Sequence, residues 1–203
     1  MALADRVARG LSRAISRQGK AVLAVSGGTT PALFFDHLSR EDISWEKVTV
    51  TLVDERQVDE KSPRSNAKLV KQVLLQNHAR LAQFVPLYQN QTAAETFNLD
   101  VVVLGVGEDG HTASFFPGGD NLAAALDMNT QSIITKMQAP AAVEPRLTFT
   151  LAALLKAKVL CLHTEGQKKH DVLTAAIAGS DVMAMPIRAV LQADQPLEIF
   201  WCP

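Results

Sequence analysis

Cysteine is scarce in this 203-residue chain: Cys161 lies inside an apolar run and Cys202 next to the end. Two thiols so placed make no metal-ligand spacing, and a chain of this size needs no covalent staples. Both are expected as free thiols in a reducing compartment. Charge of one sign is lacking too. With 20 basic and 21 acidic residues the net charge is −1, which excludes the overall basic field behind nonspecific nucleic-acid binding. An anionic ligand must be held by a local cluster of cations. No apolar run reaches the roughly 18 residues that span a bilayer. Arg6, Arg9, Arg13 and Arg17 interrupt the N-terminal stretch, which therefore lacks the apolar core of a signal peptide. A cytoplasmic protein with no membrane and no nucleic-acid partner is the expectation, as a monomer, with a homodimer as the alternative. No repeat, low-complexity tract or linker divides the chain, and 47% hydrophobic residues allow a substantial core, so one domain over residues 1–203 is expected.

What is present is an alternation of short apolar strands with helices. Leu3, Val7, Leu11 and Ile15, at steps of four, predict an amphipathic surface helix over residues 1–18. A strand over 21–26 stops at Gly27 and Gly28. Thr30 then suits the N-cap, and Pro31 the first position, of a helix over 32–38 with Leu33, Phe34 and Leu38 as its apolar positions. The strand over 48–53 runs into Asp54, Glu55 and Arg56, three charges expected in a loop at the carboxyl end of a buried strand, where open α/β sheets bind ligands. Ser65 is expected to cap a helix over 66–76 that buries Leu69, Val70, Val73 and Leu74. A short strand is expected over 84–87, one short helix in the polar segment 89–98, and the central strand from Leu99. Further strands are expected over 132–135, 159–164 and 197–201, with helices over 123–126, 151–156 and 167–177. This pattern predicts an α/β fold, a doubly wound and mostly parallel sheet with helices on both faces.

Three of the strands end in glycine turns. After the first, the Gly27-Gly28 turn aims free N–H groups and a helix dipole at one point, a site suited to phosphate, although an ordinary strand-to-helix turn would read the same. The Gly-Lys-Ser/Thr ending of a Walker loop is absent. Residues 100–119 form an apolar run broken at Gly105, Gly107 and Gly110, with His111 at the break, and this reads as an active-site loop. Gly166 precedes a helix whose first turn carries Lys168 and Lys169, where cations oppose the dipole unless an anion sits there.

Taken in order, Ser26-Gly-Gly-Thr-Thr-Pro31, Val53-Asp-Glu-Arg56, Ser65-Asn66, Leu104-Gly-Val-Gly-Glu-Asp-Gly-His-Thr-Ala-Ser114, Phe116-Pro-Gly118, Pro145-Arg-Leu-Thr148 and Gly166-Gln-Lys-Lys169 resemble the 6-phosphogluconolactonases. These share a superfamily with the glucosamine-6-phosphate deaminases. The resemblance runs from about Val7 to Trp201. It implies a Rossmann-like fold and hydrolysis of 6-phosphoglucono-δ-lactone to 6-phosphogluconate, in the oxidative pentose phosphate pathway, with a phosphosugar lactone as the small-molecule partner. Set against that family, the chain is expected to lack an N-terminal strand and to have a trimmed helix before Leu99. The loop ahead of Arg146, Ala-Pro-Ala-Ala-Val-Glu, is unusual.

A δ-lactone is a reactive ester, so its hydrolysis asks for a positioned base, a held substrate and stabilisation of the tetrahedral oxyanion, with no covalent nucleophile. His111 suits the base, with an ordinary pKa of about 6.5, and the resemblance gives it that role. His37, His78, His163 and His170, on helix or strand segments, read as structural or surface residues. Asp109 either orients the imidazole or bonds its own turn. Arg56 either neutralises the oxyanion or grips the substrate, nearer the lactone end. The phosphate falls to the backbone of Gly27 and Gly28, to Ser26 or Thr29, and to Arg146 and Lys169, the family's spacing favouring Lys169 over Lys168. Asn66 either contacts sugar hydroxyls or caps its helix, with capping preferred. No cofactor and no metal are expected. An isomerase or deaminase of the sister family would need a carboxylate soon after the histidine and an aromatic residue after Asp-Glu; here Thr-Ala-Ser-Phe-Phe and Arg56 stand there. The third possibility is a noncatalytic sugar-phosphate binder, against which the retained His111 and Asp109 argue.

Overall fold

A computed structural model describes residues 2–87 and 98–203. The helix expected over 89–98 lies almost wholly outside the described residues. Six strands form one sheet in the order β4-β2-β1-β5-β8-β9, every pair parallel. They are β1 (Ala21–Val25), β2 (Val48–Leu52), β4 (Gln83–Phe84), β5 (Val101–Leu104), β8 (Val159–Glu165) and β9 (Leu197–Cys202). β1 and β5 are buried at every residue, as apolar β-branched runs covered by helices on both faces must be. The chain builds outward from β1 to β2 and β4, then returns to lay β5 on the other side of β1 and builds toward β9. Strand order therefore reverses between β1 and β5. Beyond their carboxyl ends lies the crevice where such sheets bind ligands.

Helix α1 (Ala2–Gln18) covers the sheet with Val7 and Leu11 fully buried, as the step-of-four pattern predicts. Gly10 lets it lie close: a Cβ there would stand 3.0 Å from Val101 Cγ2. Arg6 donates to Glu198 on β9 with Nε at 2.8 and 2.9 Å, tying the helix to the edge strand. In α2 (Ala32–Ser39) the core positions are Phe34, Phe35 and Leu38, whereas Leu33 is 53% exposed, contrary to expectation. Thr30 does not cap this helix. Pro31 occupies the cap position with helical dihedrals, and Thr30 Oγ1 instead accepts a hydrogen bond from Lys169 Nζ at 2.6 Å. Ser65 does cap α3 (Asn66–Leu69), its Oγ accepting from Lys68 N at 3.2 Å. That helix then widens into a π-helical turn over Val70–Leu74, and Val70 and Leu74 are buried while Leu69 and Val73 are half-buried. Later come α4 (Leu122–Leu126), α5 (Leu151–Leu154), α6 (Gln167–Ile177) and α7 (Ile187–Leu191).

The sequence reading misses a second, antiparallel sheet, ordered β3-β7-β6, of β3 (Asp54–Arg56), β7 (Arg146–Phe149) and β6 (Ile134–Met137). Asp54, Glu55 and Arg56 are thus a strand, not a loop, and the strand expected over 132–135 is displaced to 134–137. Val53 joins the two sheets: its N–H donates to Val25 O at 3.0 Å, and its carbonyl accepts from Phe149 N at 2.9 Å. Both cysteines are free, and burial pushes the Cys161 thiol up to about 12. Among the described residues no helix is long and apolar enough to cross a membrane.

Candidate active site

A cavity of about 310 Å³ opens at the reversal point, within the usual range for small-ligand sites. Its walls come from the turns after β1 and β5, from β3 and β7 of the small sheet, and from the start of α6. Ser26, Gly27, Gly28, Thr29, Arg56, Asn66, His111, Arg146 and Lys169 all line it. Asp109 stands behind His111, and Lys168 is not among the lining residues.

His111 is held by its own loop. Its Nδ1 lies 2.5 Å from Asp109 Oδ1, and its backbone N–H donates to the same oxygen at 3.1 Å. Both readings of Asp109 hold together: it closes the turn and orients the ring. Burial pushes the Asp109 carboxyl up, but the hydrogen bond and charge of His111 outweigh it and leave the pKa below the ordinary value. A carboxylate at Nδ1 fixes the imidazole proton there and leaves Nε2 as the acceptor. The Phe116 ring lies beside the imidazole, centroids 4.3 Å apart. Gly107 supplies the room, since a Cβ there would fall 2.2 Å from both Nδ1 and Cε1 of His111.

The turn after β1 meets this loop directly, with Gly105 N donating to Ser26 Oγ at 3.2 Å. Gly27 is required by close approach: its Cβ would lie 2.0 Å from Asn66 Oδ1. Gly28 is required by its φ of +96°. Asn66 does not cap α3. Its Nδ2 donates to Asp54 O at 2.9 Å, and its buried Oδ1 has no partner among the described residues. Capping falls to Ser65 and to the buried Glu55, whose carboxylate accepts from Arg56 N, Asn66 N, Ala67 N and Ser65 Oγ at 2.7, 2.8, 2.7 and 3.1 Å. Burial nonetheless pushes Glu55 above the ordinary carboxylate value, against those four bonds.

Two arginines face each other across the small sheet, Arg56 being the register partner of Arg146. Like charges directly opposite are unfavourable, and the buried Nε of each has no partner among the described residues. Arg146 is 8% exposed, lies over the Phe116 ring at 5.3 Å and stands 3.8 Å from Asp54 Oδ2. Burial lowers its pKa, and Arg56 and Arg64 lower it further against Asp54 and Glu144. Lys169, half-buried, is also held below the ordinary lysine value by burial, with Glu165 and Glu108 opposing. The arrangement is a cation-lined chamber with an oriented imidazole in one wall.

Sequence reasoning overlooked two ionisable lining residues. Asp54, read as one of three loop charges, lies in the wall and accepts from Ser114 Oγ at 2.5 Å. His163, read as structural or surface, lines the cavity from β8 with its Nε2 3.2 Å from Glu165 Oε1. Nothing in a strand buried on both faces marks which of its residues reaches a site beyond its end. His37, His78 and His170 lie outside the cavity lining, as expected.

Residues 1–201 match the family described as glucosamine-6-phosphate isomerases/6-phosphogluconolactonase. The chain belongs to this family. Among its relatives, the 6-phosphogluconolactonase of Mesorhizobium japonicum is 52% identical over 217 aligned positions, covering 100% of this chain and 90% of that protein. The 6-phosphogluconolactonase of Rhizobium meliloti is 51% identical, with 100% and 93% covered. A crystal structure of a 6-phosphogluconolactonase from Shewanella baltica superposes with a TM-score of 0.93 at 41% identity, covering 98% of this chain and 91% of that one. The Rossmann-like architecture is therefore the family's own.

Proposed function

We propose that this protein hydrolyses 6-phosphoglucono-δ-lactone to 6-phosphogluconate, acting as a single catalytic domain and a cytoplasmic monomer, without metal or cofactor. One observation carries the reading. The imidazole oriented by Asp109 opens on a cavity lined by the cations Arg56, Arg146 and Lys169, which suits an anionic ester and supplies a base for water. The 6-phosphate sits against the N–H groups of Gly27 and Gly28, with Ser26 or Thr29, Arg146 and Lys169 around it. Asn66 Oδ1, buried and without a partner among the described residues, accepts from a sugar hydroxyl. His111 Nε2 takes a proton from water as the oxygen attacks C1. Arg56 stabilises the oxyanion that forms, and collapse breaks the C1–O5 bond, with the proton passing to O5. The product is at first the carboxylic acid, and its carboxylate, the C5 hydroxyl and one released proton together account for every atom of lactone and water.

The isomerase reading needs a second base to move a proton between C1 and C2. Asp54 is the one carboxylate among the described residues in the cavity lining, and it is engaged by Ser114 and faces Arg146. Hydrolysis is the better supported reading. Proton release from freshly made lactone, followed against the spontaneous rate with wild type and His111→Ala, tests it, with ammonia release from glucosamine 6-phosphate as a parallel arm. Wild-type hydrolysis no faster than buffer would sink the proposal; full activity in His111→Ala would move the base elsewhere.

A further inference from the structure

Behind Arg56 the loops before β7 and after β3 are joined. Arg64 Nε lies 2.7 Å from Glu144 Oε1, linking the loop after β3 to the Ala-Pro-Ala-Ala-Val-Glu loop before β7. The exposed Asp–Arg pairs, Arg9–Asp5 and Arg40–Asp36, lie within one helical turn with all four side chains at least 45% exposed. Here Glu144 is only 15% exposed and its partner comes from a distant part of the chain. The join is reinforced by Gln57 N donating to Pro145 O at 2.8 Å and by Gln57 Nε2 reaching Arg146 O at 3.4 Å. Arg56 Nη1 donates to the carbonyl of Arg64 at 2.6 Å, so the backbone held by the ion pair also holds the guanidinium. That bond opposes a real force, because Arg146 stands directly across from Arg56. Neither Arg64 nor Glu144 lines the cavity, whereas Ala141 of the same loop does.

We propose that the Arg64–Glu144 ion pair is a clasp that positions the Arg56 guanidinium against the repulsion of Arg146, and so sets the oxyanion end of the site. Both are positioning residues, since neither touches substrate. An exposed pair between mobile side chains contributes little by itself. This pair matters through Arg56, whose alignment in the transition state counts more than its presence in the wall. The proposal rests on the lactonase reading for its kinetic consequence but not for its structural one.

Two measurements test it on the full-length protein. The first is ¹⁵N relaxation at the Arg56 Nε–H, identified by its loss in Arg56→Lys. This group is expected to be rigid in wild type and mobile in Arg64→Ala and in the isosteric Glu144→Gln. The second is a double-mutant cycle on lactone hydrolysis. Each single variant is expected to lose about tenfold in kcat with KM little changed, and the double variant no more than either single, the signature of residues acting as one unit. Asp5→Asn, which breaks a remote surface pair, should do neither. An Arg56 Nε–H that stays rigid in both variants overturns the clasp, as do losses that multiply in the double variant or fall on KM alone. If wild type fails to accelerate hydrolysis, the functional reading falls, and the relaxation at Arg56 still decides the clasp.

Discussion

Gly107→Ala should separate the chemistry of this protein from its stability. The new Cβ would stand 2.2 Å from Nδ1 and Cε1 of His111 and 2.7 Å from Asp109 Oδ1. Contact at an ordinary 3.4 Å requires the ring to withdraw by about 1.2 Å, the gap between those two distances. The backbone itself accepts alanine, because Gly107 is not among the residues at positive φ. Both clashing groups are side chains at the surface of a loop, so they can swing away without disturbing the core. Stability should then change by less than about 1 kcal/mol, or about 2–4 °C in Tm for a domain of this size. Activity should not escape so lightly. Displacing a catalytic group by about 1 Å costs on the order of 100-fold, about 2.7 kcal/mol of barrier, and the hydrogen bond that sets the imidazole tautomer is lost as well. Proton release in a stopped-flow instrument, with the spontaneous rate subtracted, measures kcat/KM; thermal unfolding measures the rest. A variant of unchanged Tm that keeps kcat/KM within threefold of wild type would refute the placement of His111 as the base.

Three other perturbations probe the remaining walls. Gly27→Ala places a Cβ 2.0 Å from Asn66 Oδ1, and should weaken 6-phosphogluconate binding by about tenfold in calorimetry; an unchanged Kd would show that Asn66 and the turn can separate freely. Glu55→Gln leaves one oxygen and an NH₂ group facing four donors, and should cost about 2–4 kcal/mol in urea unfolding. A loss under about 0.5 kcal/mol would remove Glu55 as the anchor of α3. Lys169, lowered by burial, loses its charge as pH rises through a value below the ordinary lysine value of about 10.4. Affinity for 6-phosphogluconate is therefore intact at neutral pH and falls early on the alkaline side. Lys169→Arg should abolish that limb, and a wild-type affinity that held constant up to ordinary lysine titration would contradict the assignment.

The elements that could be read in advance are those whose signal is local. β1, β5 and β8 are short apolar runs that end in glycine or run up to one, and the turns after β1 and β5 carry Ser26 to Thr29 and His111 into one cavity. Gly166, past the end of β8, brings Lys169 there as well. The small sheet was illegible for the opposite reason. Three consecutive charged residues have no strand signature, and β3 exists because β7, far along the chain, pairs with it. Glu55 shows the same limit: a lone glutamate beside two site residues gives no sign that it is the buried cap of a later helix. Thr30 was misjudged because its hydroxyl is engaged by Lys169, a partner that only the tertiary fold supplies.

Val53 sets a limit on how this protein can vary. With its N–H engaged in one sheet and its carbonyl in the other, it leaves no slack between the strand that builds the core and the strand that builds the site. Beyond it the residues alternate: Asp54 and Arg56 reach the cavity while Glu55 turns away to hold α3. Because side chains on a strand alternate with period two, one inserted or deleted residue here would swap those faces at a stroke. The glutamate would enter the chamber and the arginine would be driven against a helix that needs a carboxylate. Length change is therefore forbidden at this junction, and loop lengths elsewhere are where related chains are free to differ.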